Sequence, residues 1–472
     1  MSSTPAAAAP DDLVDRKTVL NFLLCGAFWL VAAPSIGVIL SLKFNFFDFL
    51  GGVSWLTWVR LRPVHVLGVI FGAFTTSIFG LTYYIVPRLC GVRMYKESWN
   101  RWILWLWNIG LVAGLVSLPL GQNLGIEAGE FPLWASVGVE IVFALITIQV
   151  VMTVVRRREK LIYVSLWYLT AAYIWTTFNY AFGHFILPYS FPGVNNAAMH
   201  GLYIHYVVGL WITPAGLAVI YYFLPLSAQQ PLYSHRLSLI GFWSLAFFYP
   251  FVGTHHYIYS PIPYWTQTIA IVASMMLIIP VWTVIQNFFG TMVGNWRRFQ
   301  ESYTAKFLIV GALYYLIGCF QGSTEALRGM QRLTHFTDFV IAHSHLTVFG
   351  TFILWVTAGL YDVIPRLSGR ELHSKTLAQW HYWLTVAGFS LMASTLILQG
   401  ILQGTMLQAG VDFVDSMQAM KPYWFTRTIA GATMDVGAIL GMWNLYRTAI
   451  GDAPPRAIAP GPLLAKPQAS AT

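Results

Sequence analysis

Six histidines give this sequence its main chemical signal, because each lies within or beside a stretch of apolar residues. Ionisable side chains are costly in an apolar medium and usually mark a functional site. The imidazole nitrogens of histidine bind copper, zinc or iron. The six are His65, His205, His255, His256, His343 and His345. As a set they indicate metal binding rather than six unrelated core residues.

The spacing within two histidine pairs indicates two kinds of site. Residues two apart on an α-helix point about 200° apart, so His343 and His345 cannot bind the same ion. Each of them can instead ligate a separate haem, with one haem on each side of the helix. Adjacent histidines, about 100° apart, can converge on one small ion at a helix end. His255 and His256 fit that arrangement, with His205 supplying a third nitrogen.

His65 completes the set. It can pair with His343 or His345 across a haem, which gives a six-coordinate iron suited to electron transfer. The other histidine of that pair then binds an iron with one open face. A small ligand can bind there, beside the three-histidine metal.

Membrane-spanning helices must hold these histidines, because the sequence is too apolar for a soluble domain. Hydrophobic residues make up 57% of the 472 residues, charged residues make up 10%, and the mean hydropathy is +0.61. A helix needs about 20 apolar residues to cross a bilayer. Twelve such windows begin near residues 18, 61, 100, 132, 161, 196, 236, 263, 303, 337, 379 and 424. We therefore predict an all-α membrane protein with one twelve-helix bundle at 18–450.

The polar ends and the distribution of charge predict the topology. Residues 1–17 and 451–472 are polar or rich in proline and alanine, and we expect disordered cytoplasmic termini there. The net charge of +9 does not indicate a nucleic-acid partner, because most of the 27 basic residues fall on one side of the predicted bundle, including Arg88 and the run RRREK at 156–160. By the positive-inside rule that side is the cytoplasm. All six histidines then lie in the outer third of the membrane.

Four motifs resemble those of the catalytic subunit of haem–copper oxidases, most closely the cbb(3)-type branch. They are "RLRPVH" (60–65) opening the second span, a histidine in the sixth, "YPFVGTHH" (249–256) in the seventh and "HFTDFVIAHSH" (335–345) in the tenth. The resemblance implies two b-type haems and one copper ion, CuB. The ligands that it implies are His65 and His345 for the low-spin haem, His343 for the high-spin haem, and His205, His255 and His256 for copper.

Tyr249 resembles a tyrosine that, in this branch, is covalently joined to the copper-ligating histidine of the sixth span, which is His205 here. Cleavage of O₂ in one step needs four electrons, and a phenol that yields an electron and a proton completes that number. The resemblance therefore implies that Tyr249 and His205 are catalytic. Pro250 disturbs the helix at this point, so the spacing alone does not establish the link.

Further polar residues near the outer ends of the spans are predicted to bind the haem propionates. The family places an arginine of the "RLRPVH" motif there, which implies Arg60 and Arg62, since guanidinium groups suit carboxylates. His335 and Asp338 stand just outside the tenth span and are also placed to bond propionates. Anchoring at the membrane interface is the alternative for the two arginines.

Two glutamates in the outer loop "GQNLGIEAGEFP" are predicted calcium ligands. Glu127 and Glu130 resemble an acidic loop that helps to bind a calcium ion in this branch. Oxygen atoms are the ligands that Ca²⁺ prefers. A solvated loop is the alternative.

Protons have to reach the site from the inner side, and hydroxyl groups can relay them. Tyr221, Ser238 and Tyr315 resemble the positions of the single proton path of the family, and His235 lies on the same route. Aromatic residues at helix ends also form interface belts, which is the alternative explanation.

The ninth span departs from the pattern of the family. Where the family usually has Phe-Glu-Gly, this chain reads "CFQGSTEAL", and Gln321 replaces the glutamate. The change removes an acid near the high-spin haem. Glu325, one helical turn further on, is the acid that can compensate.

These features predict a terminal respiratory oxidase subunit that reduces O₂ to water, with uptake and translocation of protons across a bacterial inner membrane. The six histidines then face the periplasmic side. The three cysteines form no C-x-x-C-H motif for covalent haem. Electrons from cytochrome c must therefore arrive through partner subunits, and the resemblance implies membrane-bound c-type cytochromes.

The main alternative is a nitric oxide reductase of the same superfamily. Such enzymes place a glutamate four residues after the sixth-span histidine, where this chain has Gly209, and they lack the tyrosine found here at 249. A second alternative is a b-haem electron-transfer subunit without a reaction centre, which has no use for the three copper-ligand histidines. A metal transporter would use midplane carboxylates or thiols, which are scarce in this sequence.

Overall fold

A computed structural model describes residues 10–451 and 454–455, and over these residues the predicted all-α membrane architecture is confirmed. Long helices follow one another along the chain. They are α1 (Arg16–Asn45), α2 (Trp58–Cys90), α3 (Asn100–Ser117), α4 (Leu133–Val155), α5 (Val164–Ala181), α6 (Gly193–Ala228), α7 (His235–Tyr257), α8 (Tyr264–Met292), α9 (Tyr303–Glu325), α10 (Asp338–Ser368), α11 (Lys375–Gln408) and α12 (Phe413–Ile450).

The predicted disordered termini fall largely outside the described residues, at 1–9, 452–453 and 456–472. Within the N-terminal segment, Pro10–Leu13 forms a short 3₁₀ helix ahead of α1. Near the other end, Pro455 forms an isolated β-bridge with Arg370.

Nine helices in the described part of the chain are long and apolar enough to cross a membrane. The remaining long helices are α3, α5 and α12, of which α3 and α5 have 18 residues each. A multi-pass helical bundle is therefore confirmed, while the number of twelve spans stays a prediction.

Helices α2 and α6 form the centre of the bundle. In their most apolar windows 83% and 94% of the residues are buried, against 33% in α1 and α7. The indole nitrogen of Trp211 in α6 donates to Thr75 Oγ1 in α2 at 2.9 Å and joins the two helices. These helices carry His65 and His205, two of the predicted ligands, and both side chains are half-buried.

Three helices widen into π-helix within three residues after a predicted ligand. The π segments are Gly68–Thr75 after His65, Val207–Ile212 after His205 and Leu346–Ile353 after His345. Hydroxyl groups bond carbonyls inside two of these segments: Thr75 donates to Ile70 at 2.8 Å, and Thr351 donates to Leu346 at 3.0 Å. Such π-helical turns are rare and occur frequently at functional sites, and their positions here agree with that tendency.

Helix α7 changes its winding at Pro250, as predicted. Its α-helical part is His235–Phe248, and 3₁₀ turns follow at Tyr249–Phe251 and Gly253–Tyr257. Proline has no N–H and cannot continue the α-helical hydrogen bonding. The tighter turns set the directions of the tyrosine and of the two histidines within them.

Candidate metal and haem site

Three histidines from two helices meet at one point. His205 lies in α6, and His255 and His256 lie in the last turn of α7. One ligand nitrogen of each lies within 4.8 Å of the others, and the Nε2 atoms of His205 and His255 are 2.7 Å apart. Within the residues that the structure describes, no other cluster of metal-ligating side chains has three members this close. The donor set fits the predicted copper ion, since imidazole is a ligand of copper.

A hydroxyl group in α8 orients His255. Nδ1 of His255 lies 2.7 Å from Ser274 Oγ, and that hydroxyl donates its own proton to the carbonyl of Ala270. The oxygen therefore accepts from Nδ1–H, which leaves Nε2 free as a metal ligand. Partners of this kind fix the tautomer and direction of metal-binding histidines. The sequence analysis missed Ser274, whose only signal was a polar residue within an apolar span.

The ring of Tyr249 lies beside His205, one of the three histidines. Its centroid is 5.6 Å from that of His205, and the two ring planes are tilted by 52°. A Cβ atom at Gly209 would lie 1.8 Å from Cε1 of Tyr249. The tyrosine ring thus fills the space that a side chain at position 209 would need. The residues that the resemblance pairs are neighbours, and a glutamate at 209 has no room.

A backbone carbonyl orients each of the rings of His65 and His345. Nδ1 of His65 is 2.8 Å from the carbonyl oxygen of Ala33, and Nδ1 of His345 is 2.8 Å from that of Ile341. A carbonyl oxygen only accepts, so each Nδ1 carries the proton and each Nε2 is free to ligate iron. Both rings are therefore prepared for axial ligation of a haem.

The two histidines of α10 have different neighbours. His205 and His255 are close enough to His343 to interact with it electrostatically, whereas His345 interacts with His65. The two-residue spacing therefore sends one imidazole toward the three-histidine cluster and the other toward His65. This arrangement is the one that the helical periodicity predicts.

Two glycines make room for predicted haem ligands. A Cβ atom at Gly37 in α1 would lie 2.6 Å from Cε1 of His65, and one at Gly322 in α9 would lie 2.5 Å from Cε1 of His343. Cβ contacts shorter than 3.0 Å essentially never occur, so a larger residue would displace the imidazole. Neither glycine could be predicted from the sequence, because nothing local indicates which helix packs on which ring.

Arg62 pairs with both glutamates predicted to bind calcium. Its guanidinium nitrogens lie 2.7 Å from Glu127 and 3.9 Å from Glu130. Burial raises the pKa of Glu130 to about 7, although nearby backbone N–H groups and Arg62 act in the opposite direction. Oε2 of Glu130 has no hydrogen-bond partner among the described residues. Arg60 instead donates to the carbonyl of Pro119 at 2.9 Å.

Three side chains contact the carboxylate of Asp338 at the start of α10. Its carboxylate accepts from Gln399 Nε2 at 2.5 Å and from Trp424 Nε1 at 3.1 Å, and Arg427 lies 3.7 Å away. His335 stacks on the ring of the following phenylalanine, with centroids 4.1 Å apart. Of His335 and Asp338, only Asp338 thus belongs to a polar cluster.

Tyr221 and Ser238 meet through a residue that the sequence analysis missed. Asn287 Nδ2 in α8 donates to Ser238 Oγ at 2.9 Å and lies 3.5 Å from the hydroxyl of Tyr221. All three side chains are buried. The available signal was an amide inside an apolar span, where polar groups are costly.

The other two residues of the predicted proton path lie apart from this group. Tyr315 is buried in α9 and interacts electrostatically with Tyr249, so it lies toward the three-histidine end. His235 is exposed at the start of α7, and in the described part of the chain it shares no hydrogen bond with the others.

Comparison with known proteins decides the family. The profile of the family "Cytochrome C and Quinol oxidase polypeptide I" matches residues 17–433. Subunit CcoN1 of the cbb3-type cytochrome c oxidase of Stutzerimonas stutzeri is 30% identical over 92% of this chain and 94% of its own. The chain belongs to the haem–copper oxidase subunit I family.

Further similarities agree with this membership. A cytochrome c oxidase subunit 1 homolog of Azorhizobium caulinodans is 29% identical over 94% of this chain and 84% of its own. A solved structure of a haem–copper terminal oxidase dimer superposes with a TM-score of 0.75 over 95% of this chain and 88% of that chain, at 17% identity. At that identity the structural match shows a shared fold.

Membership confirms the resemblance to the cbb(3)-type branch and the terminal oxidase function. This haem–copper oxidase subunit is an integral membrane oxidoreductase of a respiratory chain, and its family uses haem and copper. The roles of the individual residues stay predictions.

In this oxidase subunit, Gln321 stands where the family usually has a glutamate. Its Nε2 donates to the carbonyl of Phe339 at 3.1 Å and so links α9 to the start of α10. Glu325 is buried at the end of α9, and its Oε2 has no partner among the described residues. The buried acid of this region is therefore one turn further along α9.

Arg427 is a further candidate for binding a haem propionate, and it was not predicted from the sequence. Its guanidinium lies within α12, 3.7 Å from Asp338 and 5.1 Å from the ring centroid of Phe44, with 16% of the side chain exposed. His65 and His345 are both close enough to interact with its charge. A mostly buried cation with one rather distant carboxylate can bind a further anion, and a haem propionate is such an anion. A charge inside the last predicted span was the available signal.

Proposed function

We propose that this chain is the catalytic subunit of a cbb(3)-type oxidase that reduces O₂ to water with electrons from cytochrome c. One observation carries the proposal: the three-histidine cluster has Tyr249 beside His205 and no room for a side chain at Gly209. The similarity to cytochrome c oxidase subunits over more than nine-tenths of the chain supports cytochrome c as the donor.

The described geometry supports one assignment of the ligands. His65 and His345 would hold the low-spin haem b through their free Nε2 atoms, and His343 would hold the high-spin haem b. The three-histidine cluster would hold copper, with Ser274 fixing the direction of His255. When bound, the two haems and the copper bind O₂ and supply electrons for its reduction.

Tyr249 has a role of its own in this proposal. Reduction of one O₂ to two water molecules takes four electrons and four protons. The phenol of Tyr249 yields one electron and one proton as the O–O bond breaks, and it is covalently joined to His205. The 5.6 Å separation of the two ring centroids supports this pairing.

Protons reach the phenol from the inner half of the bundle. Tyr221, Asn287 and Ser238 form a buried polar group there, and Tyr315 interacts electrostatically with Tyr249. Buried hydroxyl and amide groups in a membrane bundle mark proton routes. In this proposal the exposed His235 lies at the inner entrance.

The outer ends of the helices would bind the haem propionates and a calcium ion. Arg427 is the best placed cation for a propionate, since it is mostly buried beside both low-spin ligands, and Arg60 and Arg62 lie at the outer end of α2. The carboxylates of Glu127 and Glu130 supply oxygen ligands of the type that calcium prefers.

The subunit would work in a bacterial inner membrane with membrane-bound c-type cytochrome partners. It has no C-x-x-C-H motif, so electrons from cytochrome c need another protein to enter. The basic run at 156–160 supports a cytoplasmic location for that side, so both termini would lie in the cytoplasm and the histidine cluster toward the periplasm.

The metal content of the purified complex tests the proposal. We expect about one copper ion and about two b-type haems per copy of this chain, in addition to c-type haem from partners. Elemental analysis and a reduced-minus-oxidised spectrum measure these values, with His256→Ala as a variant that loses copper selectively. Non-haem iron in place of copper would overturn the proposal in favour of a nitric oxide reductase.

A further inference from the structure

A groove on the outside of the bundle lies at the inner ends of α4, α5 and α7, far along the helices from the histidine cluster. Its volume is about 360 Å³. Its wall is almost entirely apolar and includes Trp167, Ala171 and Trp175 of α5 with Phe242 and Trp243 of α7. None of these residues has a part in the oxidase reaction described above.

The length of the groove matches one leaflet of a bilayer. Its wall on α5 extends from Leu166 to Trp175, which is about 14 Å at a rise of about 1.5 Å per residue. Half of the hydrocarbon core of a bilayer is about 15 Å thick. An acyl chain of the inner leaflet therefore fits along it.

A basic segment of the chain connects two residues of the groove wall. The segment between the wall residues Val154 and Ile162 contains the run RRREK at 156–160. Arg156, Arg158 and Lys160 are exposed, and the part of the chain that the structure describes offers them no carboxylate within ion-pair distance. These cations are free to meet an anionic group at the membrane surface.

Two of the arginines of this segment make contacts within the protein. Arg157 Nη1 donates to the carbonyl of Val154, a wall residue, at 3.0 Å, and its Nε is buried without a hydrogen-bond partner among the described residues. The guanidinium of Arg156 stacks over the ring of Tyr95 at 4.3 Å. An unpartnered buried N–H beside an apolar groove is a place for an anionic oxygen.

We propose that this groove binds one anionic phospholipid of the inner leaflet. The phosphate contacts the cations of 156–160, and an acyl chain lies between α5 and α7. Basic clusters at the cytoplasmic ends of spans attract anionic head groups in this way.

Native mass spectrometry of the purified complex in mild detergent tests this proposal. The complex is exchanged into micelles that contain phosphatidylglycerol or phosphatidylethanolamine. We expect one retained phosphatidylglycerol per chain, and at least tenfold lower retention of phosphatidylethanolamine. The variant R156Q/R158Q/K160Q should lose this preference, and Ala171→Phe, which fills the groove, should lose the lipid.

Two control variants make the same kinds of substitution outside the groove. The variant R101Q/R297Q/K375Q removes three exposed cations from the same side of the membrane, and Ala113→Phe adds a ring to the exposed face of α3. Both should retain the lipid, and inorganic phosphate should not compete with it. Equal retention of the two lipids by the wild type, unchanged retention in both groove variants, or a cross-link from the groove to a partner subunit would overturn the proposal. None of these outcomes depends on oxygen reduction.

Discussion

Gly209 and Tyr249 share one space beside the histidine cluster, since a Cβ atom at position 209 would lie 1.8 Å from Cε1 of the tyrosine. The absence of a side chain in α6 gives the ring at the end of α7 its place next to His205. The same contact excludes the glutamate that nitric oxide reductases place at this position. Gly209 thus explains the position of the phenol and favours oxygen reduction over nitric oxide reduction.

Gly209→Ala is therefore expected to displace the tyrosine ring and to lower oxygen turnover at least tenfold, a change equivalent to about 1.4 kcal/mol in the activation barrier. Oxygen consumption by the purified variant measures the effect. Gly110→Ala is the control, because a Cβ atom at that position meets nothing within 4 Å. Normal turnover in Gly209→Ala would show that the packing of Tyr249 is not required.

Tyr249→Phe tests the hydroxyl group separately from the ring. We expect the variant to fold and to bind both haems and copper, while oxygen turnover falls by orders of magnitude because a reacting group is lost. Tyr206→Phe is the control, since its hydroxyl donates only to the carbonyl of Pro250 and its loss costs about 1 kcal/mol of stability. Peptide mass mapping should also show His205 and Tyr249 in one cross-linked fragment, and separate fragments would contradict the assignment.

His65→Ala is expected to remove the low-spin haem and to leave copper in place, because its Nε2 is the free axial ligand in α2. The absorption spectrum of the reduced variant should lack the low-spin b signal, while elemental analysis finds normal copper. A full low-spin signal in this variant would show that another residue ligates that haem.

The helical bundle and the six histidines could be predicted because both leave local signals. A span needs a run of apolar residues, and imidazoles stand out within such a run. The two-residue spacing of His343 and His345 fixes their opposite directions whatever the surroundings are. The break in α7 was likewise predictable, since Pro250 cannot continue an α-helix.

The supporting residues could not be predicted, because their roles come from contacts between distant parts of the chain. Ser274 is an ordinary serine until the fold brings it to His255, and Gly37 matters only because α1 packs on the ring of His65. The π-helical turns were missed for a similar reason. They differ from α-helix by one residue in hydrogen-bond register, and hydrophobic periodicity does not report that difference.

Asn287→Leu is expected to slow turnover roughly tenfold while leaving the haem spectra and copper content unchanged. The substitution breaks the bond to Ser238 that holds the inner polar group together. Proton uptake in proteoliposomes, measured with a pH indicator on the inner side, is the direct readout. Asn108→Leu serves as the control, since that amide bonds only a carbonyl of its own helix. Equal proton uptake rates in the two variants would exclude this route.

With calcium removed by a chelator, Glu130 predicts a pH dependence of the thermal stability. Burial raises its pKa from 4.5 to about 7, so protonation stabilises the folded protein at low pH. This contribution is fully present below about pH 4.5 and is lost as the pH rises to about 7, with a total of about 3 kcal/mol. The thermal midpoint should therefore fall more steeply across this range in the wild type than in Glu130→Gln.

An exposed glutamate far from this loop provides the control for that experiment. Glu371 is exposed and forms no ion pair within the described residues, so Glu371→Gln should keep the pH dependence of the wild type. If Glu130→Gln and the wild type show parallel curves, the buried carboxyl is not the group responsible.

Oxygen consumption by the purified complex with reduced cytochrome c as the only electron donor tests the central claim most directly. If this chain carries the site of O₂ reduction to water, four molecules of cytochrome c should be oxidised for each O₂ consumed. The rate should be lost in His205→Ala, whose imidazole belongs to the metal cluster. An active complex that reduces nitric oxide but consumes no O₂ with this donor would contradict the account.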